Sequence, residues 1–207
     1  MPASLIANIY NDFQSNYEDN PQFVIDFFSK YTILFNNMKT FNNKGDLLDY
    51  IELSTFLSNA LFQKNRYNEI IDTLNRALPV IDQEITRLSA SEFKDKYYTL
   101  FSIKGQASYR LKDYETATPI FKELTIYDPK EENYKNWLRD SLFRKRERLL
   151  LVIYIVCSSV ILLEIILRFL NIAPPRFRTF LLIPAVIGLI GAFAYSSFIE
   201  KSLRKSK

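Results

Sequence analysis

The sequence predicts an all-α protein, in which a soluble helical-repeat region is followed by two membrane-spanning helices. Over residues 21–126, apolar residues recur at the three-to-four-residue spacing of helices and rarely alternate as they do in strands. Two long apolar stretches follow near the C-terminus. Within the soluble part, residues 60–70 align with residues 107–117 at an offset of 47 residues, which is typical of repeat proteins.

Residues that favour turns and helix ends divide the soluble part into helices. The predicted breaks fall at residues 42–45, 64–66, 89–92, 112–113 and 128–129. At the third break, Ser89 and Glu92 have the spacing of a capping box. Pro79 and Pro119 lie inside helical patterns, where a proline is expected to kink or end a helix.

The second copy of the internal repeat carries a specific set of aromatic, small and proline residues. Within a frame of about 34 residues, these are Phe101, Gly105, Tyr114, Ala117, Phe121 and Pro129. Their spacing resembles that of the tetratricopeptide repeat (TPR), although the first copy has Ser58 at the position of Gly105. The resemblance covers about residues 51–130 and implies helix pairs that stack into a superhelix with a concave face.

These observations predict six segments. Residues 1–45 form N-terminal helices, as a cap or a degenerate repeat, and residues 46–131 form the TPR-like repeats. Residues 132–148 form a linking helix with a basic end beside the membrane. Residues 149–170 and 180–199 form a transmembrane hairpin, and residues 200–207 form a basic tail.

The first of the two apolar stretches contains only Glu164 and Arg168 as charged residues, and the second contains none. At 1.5 Å per residue each is roughly 30 Å long, which is enough to cross a bilayer core of ~30 Å. Eight basic residues flank the hairpin at its two outer ends, against three at the turn end, Arg168, Arg176 and Arg178. This bias predicts that both termini and the repeats are cytoplasmic, which suits a bacterial inner membrane; a eukaryotic internal membrane is the alternative.

The resemblance to TPR proteins implies a set of partner-binding positions on the concave face. These positions are Thr55, Asn59, Phe62, Ser102, Gln106, Tyr109 and Arg110. Polar and aromatic side chains of this kind suit a peptide or a helix of a protein partner. The alternative is that the chain's own N-terminal helix, or the long helix after Pro129, fills this face.

Four residues of the hairpin are candidates for contacts inside the membrane. They are Glu164, Arg168, Gly188 and Ala192. Glu164 either forms an ion pair with Arg168, four residues on, or marks an ion path or binds a partner helix. The small residues of the second span pack within the hairpin, or against another membrane subunit or a second copy of the chain.

Composition excludes several function classes. The chain has no histidine and a single cysteine, Cys157, inside an apolar stretch, so we expect no catalytic site, no metal and no cofactor, and therefore no enzyme. The net charge of +4 divides into −4 for residues 1–143 and +8 for residues 144–207. The basic excess therefore belongs to the membrane part, where it serves topology and contact with lipid, and we expect no nucleic acid as partner.

Two functions are consistent with these features. The first is a membrane-anchored scaffold or adaptor for protein–protein interaction, which presents the TPR-like domain to the cytoplasm. The alternative is a subunit of a larger membrane or transport complex, in which the transmembrane hairpin makes the functional contacts.

Overall fold

The computed structural model describes residues 4–170 and 182–195, and these residues form helices and turns without any strand. The all-α prediction is confirmed. The chain divides into two compact units, Met1–Ser141 and Leu142–Lys207.

The first unit contains six complete helices and the start of a seventh. In chain order they are α1 (Leu5–Asn16), α2 (Pro21–Asn37), α3 (Lys44–Gln63), α4 (Tyr67–Arg87), α5 (Lys94–Arg110), α6 (Tyr114–Tyr127) and α7 (Glu132–Phe169). A single 3₁₀ turn, Ser91–Phe93, lies between α4 and α5.

Short polar side chains start several of these helices. Asn20 caps α2, Asn43 caps α3 and Asp113 caps α6, and in each case a side-chain oxygen accepts a backbone N–H of the first turn. Pro21 follows Asn20 at the first helical position, where its missing N–H costs nothing. The helix starts are therefore determined by the chemistry of a few adjacent residues.

The two copies of the internal repeat end their first helices in the same way. Asn65 after α3 and Lys112 after α5 both have positive φ, 57° and 62°. In the two turns, the N–H of Arg66 donates to the carbonyl of Leu61 and the N–H of Asp113 to that of Ser108, both at 2.9 Å. A left-handed residue with this bond closes the end of a helix and turns the chain back. The offset of 47 residues found in the sequence therefore corresponds to a repeated backbone geometry.

Two details of helix punctuation differ from the sequence analysis. The capping box of Ser89 and Glu92 is not formed, because Ser89 adopts a positive φ of 50° in the turn that ends α4. The Glu92 carboxylate instead forms an ion pair with Nζ of Lys44 at 2.7 Å. Pro79 and Pro119 lie inside α4 and α6 on exposed helix surface, and neither ends its helix.

The helices of the first unit are stacked in pairs. α3 packs against α1, α2 and α4, and α5 packs against α3, α4 and α6. One continuous core runs through α1 to α5, with Phe13, Leu47, Ile51, Leu74 and Leu100 completely buried. Each new helix pair therefore covers the apolar face that the preceding pair leaves open.

A smaller core joins α6 to the start of α7. Ala117 and Phe121 are fully buried there, and the indole of Trp137 stacks on Phe121 with ring centroids 5.6 Å apart. Gly105 of α5 lies against this core: a Cβ at this position would be 2.8 Å from Cγ2 of Ile120. The glycine therefore allows α5 and α6 to approach closely.

In the second unit, α7 continues without a break to Phe169. Among residues 4–170 and 182–195, one helix, α7, is long and apolar enough to cross a membrane, with a mean hydropathy of 2.8 over its most apolar window. A shorter apolar helix, α8 (Leu182–Tyr195), follows. Residues 182–195 of the predicted second span form this helix, and the rest of that span, the predicted turn and the basic tail lie outside the described residues.

The helices α7 and α8 contact each other through small and buried side chains. Leu150, Cys157 and Glu164, which are seven residues apart in sequence, form the buried side of α7. On α8, Ala185 and Ala192 are buried. A Cβ on Gly188 would lie 2.9 Å from Sγ of Cys157, so the small residue permits close contact between the two helices.

Candidate partner-binding face

Three helices, α1, α3 and α5, share one side of the first unit, and a single carboxylate joins them. Glu52 of α3 accepts a hydrogen bond from the hydroxyl of Tyr10 on α1, at 2.6 Å. Its other oxygen forms an ion pair with Nζ of Lys96 on α5, at 3.1 Å. We call the side that these contacts mark the inner face.

The inner-face hydrogen bonds also set the ionisation of their partners. Burial disfavours the charged form of Glu52, but the hydrogen bonds from Tyr10 and Lys96 outweigh it and hold its pKa below the usual value. The hydrogen bond to this carboxylate, with burial, raises the pKa of Tyr10 to about 12. Glu52 is therefore a negative group on this face at neutral pH.

Four of the seven predicted partner-binding residues are exposed or half-buried, and the hydrogen bonds described for them lie within their own helices. Asn59 of α3 and Arg110 of α5 are exposed. Gln106 of α5 is half-buried and donates to the Ser102 hydroxyl of its own helix at 3.2 Å. Thr55 of α3 is half-buried and donates to the carbonyl of Ile51 at 2.8 Å.

The other three predicted residues are packed within the first unit. Ser102 is buried, and Phe62 packs edge-on against Tyr67 at the α3–α4 turn. Tyr109 donates its hydroxyl to Asp140 of α7, and its ring packs edge-on against Trp137. Tyr109 is therefore covered by α7, in agreement with the alternative prediction that the long helix after Pro129 fills part of this face.

Sequence reasoning missed Glu52 and Lys96 as parts of the inner face. Glu52 lies seven residues before Asn59, which is two helical turns, so helical periodicity from Asn59 could have found it. Lys96 carries no such signal, because its contact with Glu52 depends on how α5 packs beside α3.

The four predicted membrane residues differ in how deeply they are buried. Glu164 and Ala192 are buried, Gly188 is half-buried against Cys157, and Arg168 is exposed. The described residues include no ion pair between Glu164 and Arg168. The ion pair expected from their spacing is therefore not formed: Glu164 is buried, whereas Arg168 is exposed.

A separate cavity of about 220 Å³ is lined by residues of α2, α3 and α4. Phe28, Phe35, Leu57 and Leu61 give it an apolar lining, and charged residues of α4 are at its rim. Its volume is below the ≈ 300–1,000 Å³ of most small-molecule sites. The inner face is therefore the better candidate for a functional surface.

Chemically, the inner face offers amide, guanidinium and carboxylate groups for hydrogen bonds to another chain. Among residues 4–170 and 182–195, no group of three or more Cys, Asp or Glu side chains is placed to hold a metal ion. No protein-family model, no curated protein and no solved structure matches the chain.

Proposed function

We propose that this protein is a membrane-anchored scaffold whose TPR-like domain binds a protein partner on its inner face. The observation that carries the proposal is the repeated geometry of α3–α4 and α5–α6: both pairs turn at an equivalent left-handed residue, and α5 packs against both helices of the preceding pair. Stacking of this kind brings the first helix of each pair to a common side.

The chemistry of the inner face favours an extended peptide or a helix as the partner. Asn59 and Gln106 occupy equivalent positions of the two repeats and carry amides, which both donate and accept hydrogen bonds. Arg110 and Glu52 add one charge of each sign. A backbone with its own donors and acceptors matches such a surface better than an apolar ligand does.

The anchor in this proposal is a hairpin that spans the membrane at residues 149–170 and 180–199. The outward side of α7 supports it, since Leu151, Ile155, Leu162 and Ile166 are each about half exposed. A soluble protein rarely leaves so large an apolar surface uncovered. The eight basic residues at the outer ends of the hairpin favour cytoplasmic termini in a bacterial inner membrane.

Photo-crosslinking in cells tests the partner-binding face in the full-length chain. A photoreactive residue at Asn59 or at Gln106 is expected to capture the same protein, because the two positions are equivalent. The matched control is Gln83 on α4, which is exposed but lies outside the inner face. If Gln83 captures that protein as well as Gln106 does, or if neither inner-face position captures any protein, the proposal is wrong.

A second candidate is a subunit of a membrane complex in which the hairpin makes the functional contacts. The observation that favours it is Glu164, a buried carboxylate in the most apolar part of the chain, where a charge is expensive. Replacing residues 149–199 by an unrelated hairpin distinguishes the two functions. Capture from Gln106 is expected to survive this exchange for a scaffold, and to be lost if the hairpin makes the contacts.

A further inference from the structure

A second surface of the first unit is aromatic. Tyr97 and Tyr98 lie near the start of α5, and Tyr127 is the last residue of α6. The rings of Tyr98 and Tyr127 are stacked with centroids 3.7 Å apart, and Tyr97 lies edge-on to Tyr98 at 5.2 Å. Tyr127 is exposed and the other two are half-buried, so part of each ring reaches solvent. We call these three residues the tyrosine surface.

Carboxylates from two further helices act on this surface. Asp82 of α4 and Glu123 of α6 are exposed. Burial, together with the charges of Asp82 and Glu123, raises the pKa of Tyr97 to about 12 and raises that of Tyr98 as well. Burial is the larger cause of both shifts, and the two carboxylates add to it.

The stacked pair is held in place by a third carboxylate. The hydroxyl of Tyr127 donates to Asp95 in the first turn of α5. This hydrogen bond, with burial and the nearby charges of Asp95 and Asp128, raises the pKa of Tyr127 to about 12. The bond joins the end of α6 to the start of α5, so the rings are already arranged before any ligand arrives.

Tyr97 of the tyrosine surface lies away from Gln106 of the inner face. Tyr97 and Gln106 are nine residues apart on α5, and at 3.6 residues per turn they lie on opposite sides of the helix.

Aromatic rings combined with carboxylates select for cations. A lysine or arginine side chain is attracted to the face of a tyrosine ring, and adjacent carboxylates add to the attraction. The same charges repel phosphate groups, whether from lipid or nucleic acid, and an uncharged apolar helix would gain nothing from them. The net charge of −4 over residues 1–143 acts in the same direction over a longer range.

We propose that the tyrosine surface binds a lysine- or arginine-rich segment of a partner protein, with basic side chains over the rings of Tyr97 and Tyr98 and paired with Asp82 and Glu123. The inference rests on the side chains of α4 to α6 alone. It does not depend on a partner at the inner face.

Fluorescence anisotropy with the full-length protein in detergent micelles tests this proposal. The probe is a short labelled peptide in which lysine alternates with glycine, compared with the same peptide carrying glutamine in place of lysine. We expect the lysine peptide to bind at low salt. The double substitution Asp82→Asn with Glu123→Gln should weaken this binding by about 2- to 30-fold.

Two further variants separate specific binding from general charge attraction. Glu18→Gln with Asp19→Asn makes the same charge change at the exposed α1–α2 turn and should leave the affinity nearly unchanged. Tyr98→Leu keeps every charge and should weaken binding by about 2- to 30-fold, with circular dichroism showing that the helices remain intact.

Three results would overturn the proposal. They are the absence of binding at low salt, equal losses from the two charge-changing pairs, and equal binding of the glutamine peptide. A chain that ends at residue 199 tests another occupant. If it binds the lysine peptide several-fold more tightly than the full chain, the surface is occupied by the protein's own basic tail and not by a partner.

Discussion

Single residues decide how closely the two helices of each pair can approach. Gly105 faces Ile120 and Phe121 across the α5–α6 contact, whereas the equivalent residue of the first pair is Ser58. Ser58 is fully buried, and its hydroxyl has no hydrogen-bond partner within the described structure. At this position a larger side chain would be sterically unfavourable in α5. In α3 the native serine instead buries a hydroxyl group without a hydrogen bond, which costs free energy.

Gly105→Ala is expected to lower the free energy of unfolding by about 1–3 kcal/mol, because its Cβ would overlap Ile120 in a filled core. Ser58→Ala is the matched control: it removes an unpaired buried hydroxyl and should be neutral or stabilising by up to about 1–3 kcal/mol. Chemical unfolding followed by the fluorescence of the single tryptophan measures both. Equal effects of the two substitutions would contradict this assignment.

Glu84 gives the first unit a dependence on pH. Its side chain is fully buried, and it accepts hydrogen bonds from the Arg87 guanidinium and from the N–H of Phe41. The hydrogen bond from Arg87 and that from Phe41 hold the pKa of Glu84 below its usual value, against the opposing effect of burial. A carboxyl whose folded pKa is lowered stabilises the fold above its unfolded pKa, about 4.3, and loses that contribution as the pH falls through the folded value.

Glu84→Gln is therefore expected to lower the free energy of unfolding at neutral pH by about 1–3 kcal/mol. The variant should also lose less stability than the parent when the pH is lowered to about 3. Urea unfolding at the two pH values measures this difference, with Glu18→Gln at an exposed turn as the control. The role assigned to Glu84 is excluded if the parent and Glu84→Gln lose the same stability on acidification.

At the scale of helices, the start of α7 closes the open side of the last pair. Trp137 stacks on Phe121, Tyr109 donates to Asp140, and Thr118 donates to the hydroxyl of Ser141 at 3.3 Å. Repeat stacks need such an end, because the last pair would otherwise expose its apolar side to water. The residues after Pro129 are thus part of the folded domain and not only a connection.

Trp137→Ala should destabilise the first unit by less than about 3 kcal/mol, below the range for fully buried tryptophan because the side chain is half-exposed. Tyr109→Phe removes only the hydrogen bond to Asp140 and should cost about 0.5–1.5 kcal/mol. Thermal unfolding by circular dichroism ranks the two variants. If Trp137→Ala is no less stable than the parent, α7 does not close the stack.

For the whole molecule, the charge distribution determines the orientation that we propose. Residues 144–207 carry a net charge of +8, concentrated at the two outer ends of the hairpin. Basic flanking residues remain on the cytoplasmic side during insertion. The proposed arrangement therefore places the N-terminal unit and the C-terminal tail on the same side of the membrane.

Cysteine labelling tests this topology. Cys157 is the only cysteine, so Cys157→Ala provides a background without thiols. In that background, Ser15→Cys and Ser206→Cys should react with a membrane-impermeant maleimide from the same side, and Thr179→Cys in the predicted turn should react from the opposite side. Labelling of positions 15 and 206 from opposite sides would show that the chain crosses the membrane once and does not form a hairpin.

The helices and many of their ends follow from local patterns in the sequence. Apolar spacing identifies a helix within one segment, and caps such as Asn43 and Asp113 act on backbone groups two or three residues away. The internal repeat could likewise be read from the chain alone, since equivalent turn positions such as Asn65 and Lys112 lie in similar local sequences.

Contacts between residues that are distant in sequence could not be predicted from local patterns. Glu92 could cap a helix locally, yet it pairs with Lys44, which is 48 residues away in sequence. Tyr109 occupies a position that the resemblance assigns to a partner, but α7 takes it through Asp140 and Trp137. In each case the local pattern permits several partners for one side chain, and the packing of whole helices selects among them, because burying the apolar core contributes more free energy than any single polar contact.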